Sequence, residues 1–235
     1  MPMTVCLVVP LYNEGEAVFD LIEHIDSISG IHKAVLVDAS TDFESVRAFE
    51  RAQISKKGLQ KYSFVRLQTA GRAVQMNAGA ELSAEDILLF LHCDTRLPER
   101  SCELINDQIS AGYEWGRFDV CMDDSGWPFR LIAAMINIRS RMRHLATGDQ
   151  AIFIRRELFA AAGCFEEIPL MEDIALSRKL RHSPAALIKV PVLTSARRWR
   201  KRGIGRTIVL MWLIRMAYWL GVDPNRLARW YGHAR

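Results

Sequence analysis

Asp94 stands at the end of Leu88-Leu89-Phe90-Leu91-His92-Cys93, an apolar run that turns polar at its tip. Open α/β sheets bind ligands in the crevice outside the carboxyl ends of their strands, so a carboxylate at such a tip is placed for chemistry. Side chains alternate along a strand, which puts His92 and Asp94 on one face and Cys93 on the other. A hard carboxylate there can hold Mg²⁺ or Mn²⁺, with water and substrate phosphate completing the shell. Taken alone, Asp94-Thr95 reads equally well as an ordinary strand end that caps the next helix. Other residues shift the balance. Glu172-Asp173 is a carboxylate pair at the head of an expected helix, where the macrodipole also favours acidic residues. Arg72 follows Gly71 at the start of another helix and offers a cation.

These residues need strands and helices to bring them together. Thr4–Val9 is apolar and β-prone, and Pro10 should end that strand because it cannot donate to a ladder. Val18, Leu21, Ile22, Ile25 and Ile28 recur at helical spacing. Strands follow at Ala34–Val37, Tyr62–Leu67 and Ile87–Leu91. Helices are expected at Val46–Ala52, with Ser40, Thr41 or Asp42 as cap, and at Gly71–Leu82. The alternation implies a mostly parallel sheet with helices on both faces. Its strand ends then collect Pro10, Tyr12, Asn13 and Glu14, Asp38, Arg72, and His92 with Asp94 along one edge. Together they offer acceptors for a base or ribose, a cation for phosphate and a carboxylate for metal, the parts of a nucleoside-diphosphate site. A G-x-G-x-x-G fingerprint does not follow the first strand, so a dinucleotide fold is disfavoured.

The second half is less regular. Helices are expected at Leu97–Ile109, Phe129–Met142, Glu157–Ala162 and from Met171 to about Arg181. Strands are expected at Trp115–Met122, Gln150–Ile154 and Ala186–Val190. Thr207–Leu220 is strongly apolar, with Trp212, Tyr218 and Trp219, but Arg215 interrupts it. It is short for a membrane span, and a mid-helix charge is costly in lipid. An amphipathic helix lying on the domain, a partner or the membrane surface fits better.

The chain has 235 residues, half of them hydrophobic, and a formal charge of +4. That length can bury a substantial core, and the charge is too small to imply nucleic acid as partner. Basic residues gather at Arg139–Arg143, Arg178–Arg181 and Arg197–Arg206, which suits an anionic substrate or membrane surface as well as a solvated face. Five dispersed cysteines with no C-x-x-C spacing argue against a disulfide framework or structural zinc and for a reducing compartment. No signal peptide is read at the N-terminus. His144, His182 and His233 have no metal-site spacing.

In this order, Val9-Pro10-Leu11-Tyr12-Asn13-Glu14, Val37-Asp38-Ala39-Ser40-Thr41-Asp42 and Gly71-Arg72 through Asn77-Ala78-Gly79 resemble the family 2 glycosyltransferases of the GT-A fold. Leu91-His92-Cys93-Asp94 matches the family's D-x-D, Met171-Glu172-Asp173 its E-D, and Gly148-Asp149-Gln150 and Gly163-Cys164-Phe165 continue the likeness. It covers residues 4 to 182 and is nearest to a small, single-domain bacterial subgroup with His in the first D-x-D position. His92 departs from the first Asp, which leaves open whether it contacts ribose or metal. Ala39 departs from a second acidic residue, leaving Asp38 for the base.

The resemblance implies a GT-A, Rossmann-like central sheet over residues 1–200 and a C-terminal helical extension over 201–235. It implies inverting transfer from a nucleotide-sugar donor, a UDP-sugar by family habit, to an unknown acceptor that is lipid-linked or a small molecule. Donor contacts would come from Pro10, Tyr12, Asn13, Glu14, Asp38, Arg72, Asn77, His92 and Asp94. Asp94 would hold Mn²⁺ or Mg²⁺, a Lewis acid for the departing diphosphate. Asp173 would be the base, with Glu172 beside it able to raise its pKa. Gly148 and Asp149 would face acceptor or donor sugar. Arg198, in Arg197-Arg198-Trp199, is similar to the arginine of the Q-x-x-R-W segment of processive members, without the Gln. A nucleotidyltransferase and a non-catalytic nucleotide-sugar-binding protein are the competing readings. The expected setting is cytoplasmic, extending to the inner face of the membrane through peripheral contact, with a homodimer as the other use of the apolar helix.

Overall fold

Nearly unbroken apolar runs build a sheet with a helical layer on each face. The computed structural model describes residues 2–55 and 59–232. Its strands are β1 Val5–Leu11, β2 Ile31–Asp38, β3 Tyr62–Arg66, β4 Ile87–Phe90, β5 Thr95–Arg96, β6 Trp115–Met122, β7 Ile152–Arg155 and β8 Ala185–Thr194. Its helices are α1 Ala17–Ser27, α2 Glu44–Ser55, α3 Arg72–Glu81, α4 Ser101–Ser110, α5 Trp127–Arg143, α6 Arg156–Ala161, α7 Glu172–Lys179, α8 Arg197–Arg202, α9 Ile204–Trp219 and α10 Pro224–Gly232.

The strands form one eight-stranded sheet in the order β3-β2-β1-β4-β7-β6-β8-β5. From β3 to β4 every pairing is parallel. Next, β7 runs antiparallel to both β4 and β6, while β8 lies parallel to β6. Along β1, Val5, Leu7, Val9 and Leu11 point into a core with α1, α2, α4 and α5. Cys6 and Val8 point the other way, towards α3, α6 and α7. Each Val, Leu or Ile so buried contributes roughly 1.5–3 kcal/mol of transfer free energy. A smaller cluster joins Met171 and Ile174 of the α7 head to Ile214 of α9 and to Leu227 and Tyr231 of α10.

The differences from expectation have local causes. Strand β1 continues through Pro10 because β4 ends opposite Val8, so no ladder partner stands on the side that Pro10 cannot serve. Helix α4 starts at Ser101 rather than Leu97, since Pro98 disfavours helical geometry at the residue before it. Thr95-Arg96 instead pairs with the end of β8, which runs on to Thr194. Helix α8 falls in a basic stretch without an apolar period, whereas α10, inside the expected helical extension, buries Leu227 and Tyr231 at helical spacing. Of the histidines, His233 lies outside the described residues.

Gly79 explains its own place in the Asn77-Ala78-Gly79 motif. A Cβ there would lie 2.4 Å from Val8 Cγ1 and 3.1 Å from Val37 Cγ2, so α3 rests on the sheet through a bare backbone. Gly79→Ala should destabilise the protein by about 1–3 kcal/mol, the usual range for overpacking. Thermal melts followed by circular dichroism would read this, and an unchanged midpoint would mean that α3 stands further off the sheet.

Candidate active site

Phe90 of β4 pairs with Ile152 of antiparallel β7, so the turn that precedes β7 falls beside the residues that follow β4. That turn, Gly148–Gln150, is a 3₁₀ turn closed by a Thr147/Gln150 capping box. His92 stays on the Phe90 face and packs onto the turn, where a Cβ on residue 148 would meet its Nε2 at 2.5 Å. The Gly148 N–H donates to Asp173 Oδ2 at 2.8 Å. His92, Gly148, Glu172 and Asp173 line one recess with Met76, Phe90, Ile152 and Phe165. Three segments far apart in sequence thus meet at the carboxyl end of β4.

Asp173 is the second residue of α7, and its Oδ1 accepts the Ile174 N–H at 2.7 Å. Burial in the recess, and secondly the Glu172 carboxylate, raise its pKa to about 6 against the pull of the two backbone donors and Arg72. Glu172 is almost fully buried, and Arg72 Nη1 donates to its Oε1 at 3.3 Å. Asp94 is exposed in the turn after β4, and Cys93 is buried opposite His92. Among the described residues, no three of His, Cys, Asp and Glu are grouped to hold a metal ion. A metal at Asp94 would therefore rest on one carboxylate, water and substrate oxygens, a donor set that suits Mg²⁺ or Mn²⁺.

The tips of β1 and β2 are laced together. Asp38 is fully buried, its Oδ1 accepts the Ser40 N–H at 3.3 Å and the Ser40 hydroxyl, and Arg66 Nε lies 3.8 Å from Oδ2. Asn13 adopts a left-handed φ of 55°, donates its N–H to Ser40 Oγ at 2.8 Å and accepts the Thr41 N–H at 3.0 Å. Tyr12 is exposed beside it and Glu14 half-buried. The Asn77 side chain both donates to and accepts from the Phe165 backbone, each at 3.0 Å, which ties α3 to the approach to α7. Asp149 Oδ1 accepts the Thr147 hydroxyl at 2.5 Å. Arg198 belongs to α8, and its side chain lies outside the described residues.

Three residues of this edge escaped sequence reasoning as site candidates, and a fourth, Arg139, was read only as part of the basic Arg139–Arg143 patch. Gln75 donates from Nε2 to the carbonyls of Leu11 and Val37, both at 2.7 Å, and so sets the spacing of the two strand tips. Arg117 of β6, Arg139 of α5 and Arg215 of α9 all lie in the field of Asp149. Burial, and then Arg215, lowers the Arg139 pKa to about 10, so it remains charged at neutral pH. The charge interrupting Thr207–Leu220 was the one available signal, since a solitary Arg in an apolar helix needs a polar destination.

No protein-family model matches the sequence, and no curated protein matches it. Solved structures do. A mannosyltransferase from Pyrobaculum calidifontis, in complex with GDP-Man and Mn²⁺, superposes with a TM-score of 0.68 at 19% identity over 92% of this chain and 61% of its own. S. aureus TarS residues 1–349 superposes at 0.65 with 15% identity, covering 83% and 61% of the respective chains. Its complex with UDP-GlcNAc gives 0.66 and 16%, with 82% and 58% covered. The fold is GT-A. The chain spans about three fifths of the length of these neighbours. In this GT-A sheet, the β4–β7 junction is where parallel pairing gives way to antiparallel, and the recess opens there.

Asp173 titrates higher in the folded protein than its ordinary value of 3.8. Between the two values the native state holds more protons than the unfolded chain. Its contribution to stability therefore falls as pH rises from about 4 to about 6 and then levels off. Asp173→Asn removes the effect, so the melting temperature of this variant should gain on wild type as pH rises through that window. Parallel melts at four pH values would check this, and a constant difference would mean that Asp173 titrates normally.

Proposed function

We propose that the protein is an inverting glycosyltransferase that moves a sugar from a nucleoside-diphosphate donor to an acceptor hydroxyl. The observation that carries this reading is a pair of carboxylates in unlike surroundings at one sheet edge. Asp94 is exposed after β4, and Asp173 is recessed behind His92 and Gly148 with its pKa near neutrality. The ligands of the solved neighbours, GDP-Man with Mn²⁺ in one and UDP-GlcNAc in another, support a nucleotide-sugar donor and a divalent metal.

The donor's base and ribose are assigned to the β1 and β2 tips, with Asp38, Asn13 and Tyr12. Uridine is the base proposed, on the motif resemblance. Arg72, Asn77, His92 and Glu14 border the same edge, with Arg72 the cation for the diphosphate. Asp94 would hold Mn²⁺ or Mg²⁺, which neutralises charge on the departing diphosphate. Gly148, Asp149 and Arg198 are assigned to the acceptor or donor sugar. The acceptor oxygen attacks the anomeric carbon as the bond to the diphosphate oxygen breaks, and its proton passes to Asp173. The backbone donors occupy one lone pair on each Asp173 oxygen and leave another for that proton. A base with a pKa near 6 is ionised at neutral pH yet still basic enough to assist.

The two carboxylates should fail differently. Asp173→Asn should lower turnover by roughly two to four orders of magnitude, the usual worth of general-base assistance, with nucleotide affinity nearly unchanged. Asp94→Asn should weaken both nucleotide binding and its dependence on Mn²⁺. Calorimetry with UDP and GDP in Mn²⁺ or EDTA, beside turnover of the matching nucleotide sugars, separates the two. Full transfer by Asp173→Asn would move the base elsewhere, and equal affinity in EDTA would remove the metal from Asp94.

The division at residue 200 and the cellular setting belong to the same proposal. Trp127, Leu131, Ile138 and Met142 of α5 and Trp212, Leu213 and Trp219 of α9 are exposed, close to the basic Arg197–Arg206 stretch. No helix among the described residues is long and apolar enough to cross a membrane. We assign this surface to peripheral contact with anionic lipid at the inner face of the membrane, and the five unpaired cysteines suit the cytoplasm. Co-sedimentation should be strong with vesicles containing anionic lipid and weak with neutral ones. Indifference to both, with a dimer in light scattering, would reassign the surface to a second copy.

A further inference from the structure

Three guanidinium groups from three elements converge beside the recess. Arg117, Arg139 and Arg215 each lie in the field of Asp149, and Arg139 and Arg215 also lie in that of Asp173. They are near enough to repel one another: Arg215 and Arg117 both oppose the charge on Arg139. Arg117 is buried and Arg139 and Arg215 are half-buried, and convergence of like charges withdrawn from water is unfavourable unless an anion offsets it.

The protein's own anions serve this cluster poorly. Asp119 accepts from Arg117 Nη1 at 3.2 Å and also from Arg141. Among the described residues, neither Arg139 nor Arg215 has a carboxylate within the 4.0 Å of an ion pair. Asp149 and Asp173 already accept from Thr147 Oγ1, the Gly148 N–H and the Ile174 N–H. Arg117 Nη2 and Arg139 Nη2 are buried donors without a hydrogen-bond partner among the described residues. Orphaned buried donors of this strength are uncommon in a finished structure. A planar fork of N–H groups matches the oxygens of a phosphate better than those of any neutral ligand.

We propose that Arg139 and Arg215, backed by Arg117, bind a phosphate group carried by the acceptor. The inference rests on the glycosyltransferase reading, and it names the acceptor class that reading leaves open. The site borders Asp149 and Asp173, whereas Asp38 and Asp94 belong to the donor edge. An acceptor held by its phosphate would therefore present its hydroxyl to the base. Arg139 and Arg215 sit on α5 and α9, whose outer faces carry the exposed apolar side chains, so a lipid phosphate and a soluble phosphate ester are both geometrically served.

Calorimetric titration with octyl phosphate, inorganic phosphate and octanol tests the site, in the absence and presence of saturating UDP or GDP with Mn²⁺. Octyl phosphate should bind with nucleotide present, and octanol should not. Arg139→Gln and Arg215→Gln should each weaken octyl phosphate roughly tenfold or more, the worth of one charge-assisted contact, and leave nucleotide affinity in place. Arg139→Lys keeps the charge without the fork, so it should retain part of the affinity and rule out misfolding as the cause. Tighter binding of octyl than of inorganic phosphate marks a lipid acceptor, and equal binding marks a soluble ester. Unchanged octyl phosphate affinity in both Gln variants overturns the site. So does competition by nucleotide with a matching loss of nucleotide affinity in those variants, because the arginines would then serve the donor. Phosphate binding through the arginines without any nucleotide binding would sink the glycosyltransferase reading and leave the phosphate site standing.

Discussion

The hydrogen bond from the Gly148 N–H to Asp173 is the constraint on which the site depends. It joins the turn that feeds β7 to the head of α7, and so fixes a helix to a sheet edge through one backbone donor. The residue at 148 must be small, because the His92 ring fills the space a side chain would take. The same bond decides the chemistry of the carboxylate. Burial and Glu172 push its pKa up, while the two N–H groups and Arg72 hold it down. A looser turn would weaken one of the restraining donors and let the pKa move further up.

Around this bond, charges are arranged in a graded way. Glu172 is buried beside Asp173 and paired with Arg72. Breaking such a pair from one side leaves an uncompensated charge and costs about 3–5 kcal/mol. Asp119, in the middle of β6, is shared by Arg117 and Arg141, so positive charge is in surplus around it. One rim of the recess therefore has its charges matched internally, and the other does not. That asymmetry is the observation from which the phosphate site is proposed.

The parallel half of the sheet was legible because β1, β2 and β4 are largely buried on both sides. Such strands read as unbroken apolar runs, and polar tips such as Asp38 and His92-Cys93-Asp94 stand out against them. The antiparallel half was blurred by short pairings and by turns with no local code. His144, Ala151 and Met171 adopt left-handed backbone angles although none is Gly or Asn, so tertiary contacts and not propensity set them. Asn77 shows the same limit inside a readable motif. Its helix was plain, but its two bonds to the Phe165 backbone span 88 positions. The arginine cluster draws on positions 117, 139 and 215, and only the fold brings these together.

The docking of α9 and α10 has a bearing on how the molecule can be cut. Met171 and Ile174 flank the carboxylate pair, and they are covered by Ile214, Leu227 and Tyr231. A chain shortened at residue 200 would keep every strand of the sheet, yet it would strip the apolar backing from the head of α7, which carries Asp173. The eight strands have cores of their own and would hold. The head of α7 would gain conformational freedom instead, and Asp173 would lose its fixed position before the fold lost its cooperativity. Helices α9 and α10 thus act as a rear wall for the recess, and the smallest unit that folds is shorter than the smallest unit with an ordered site.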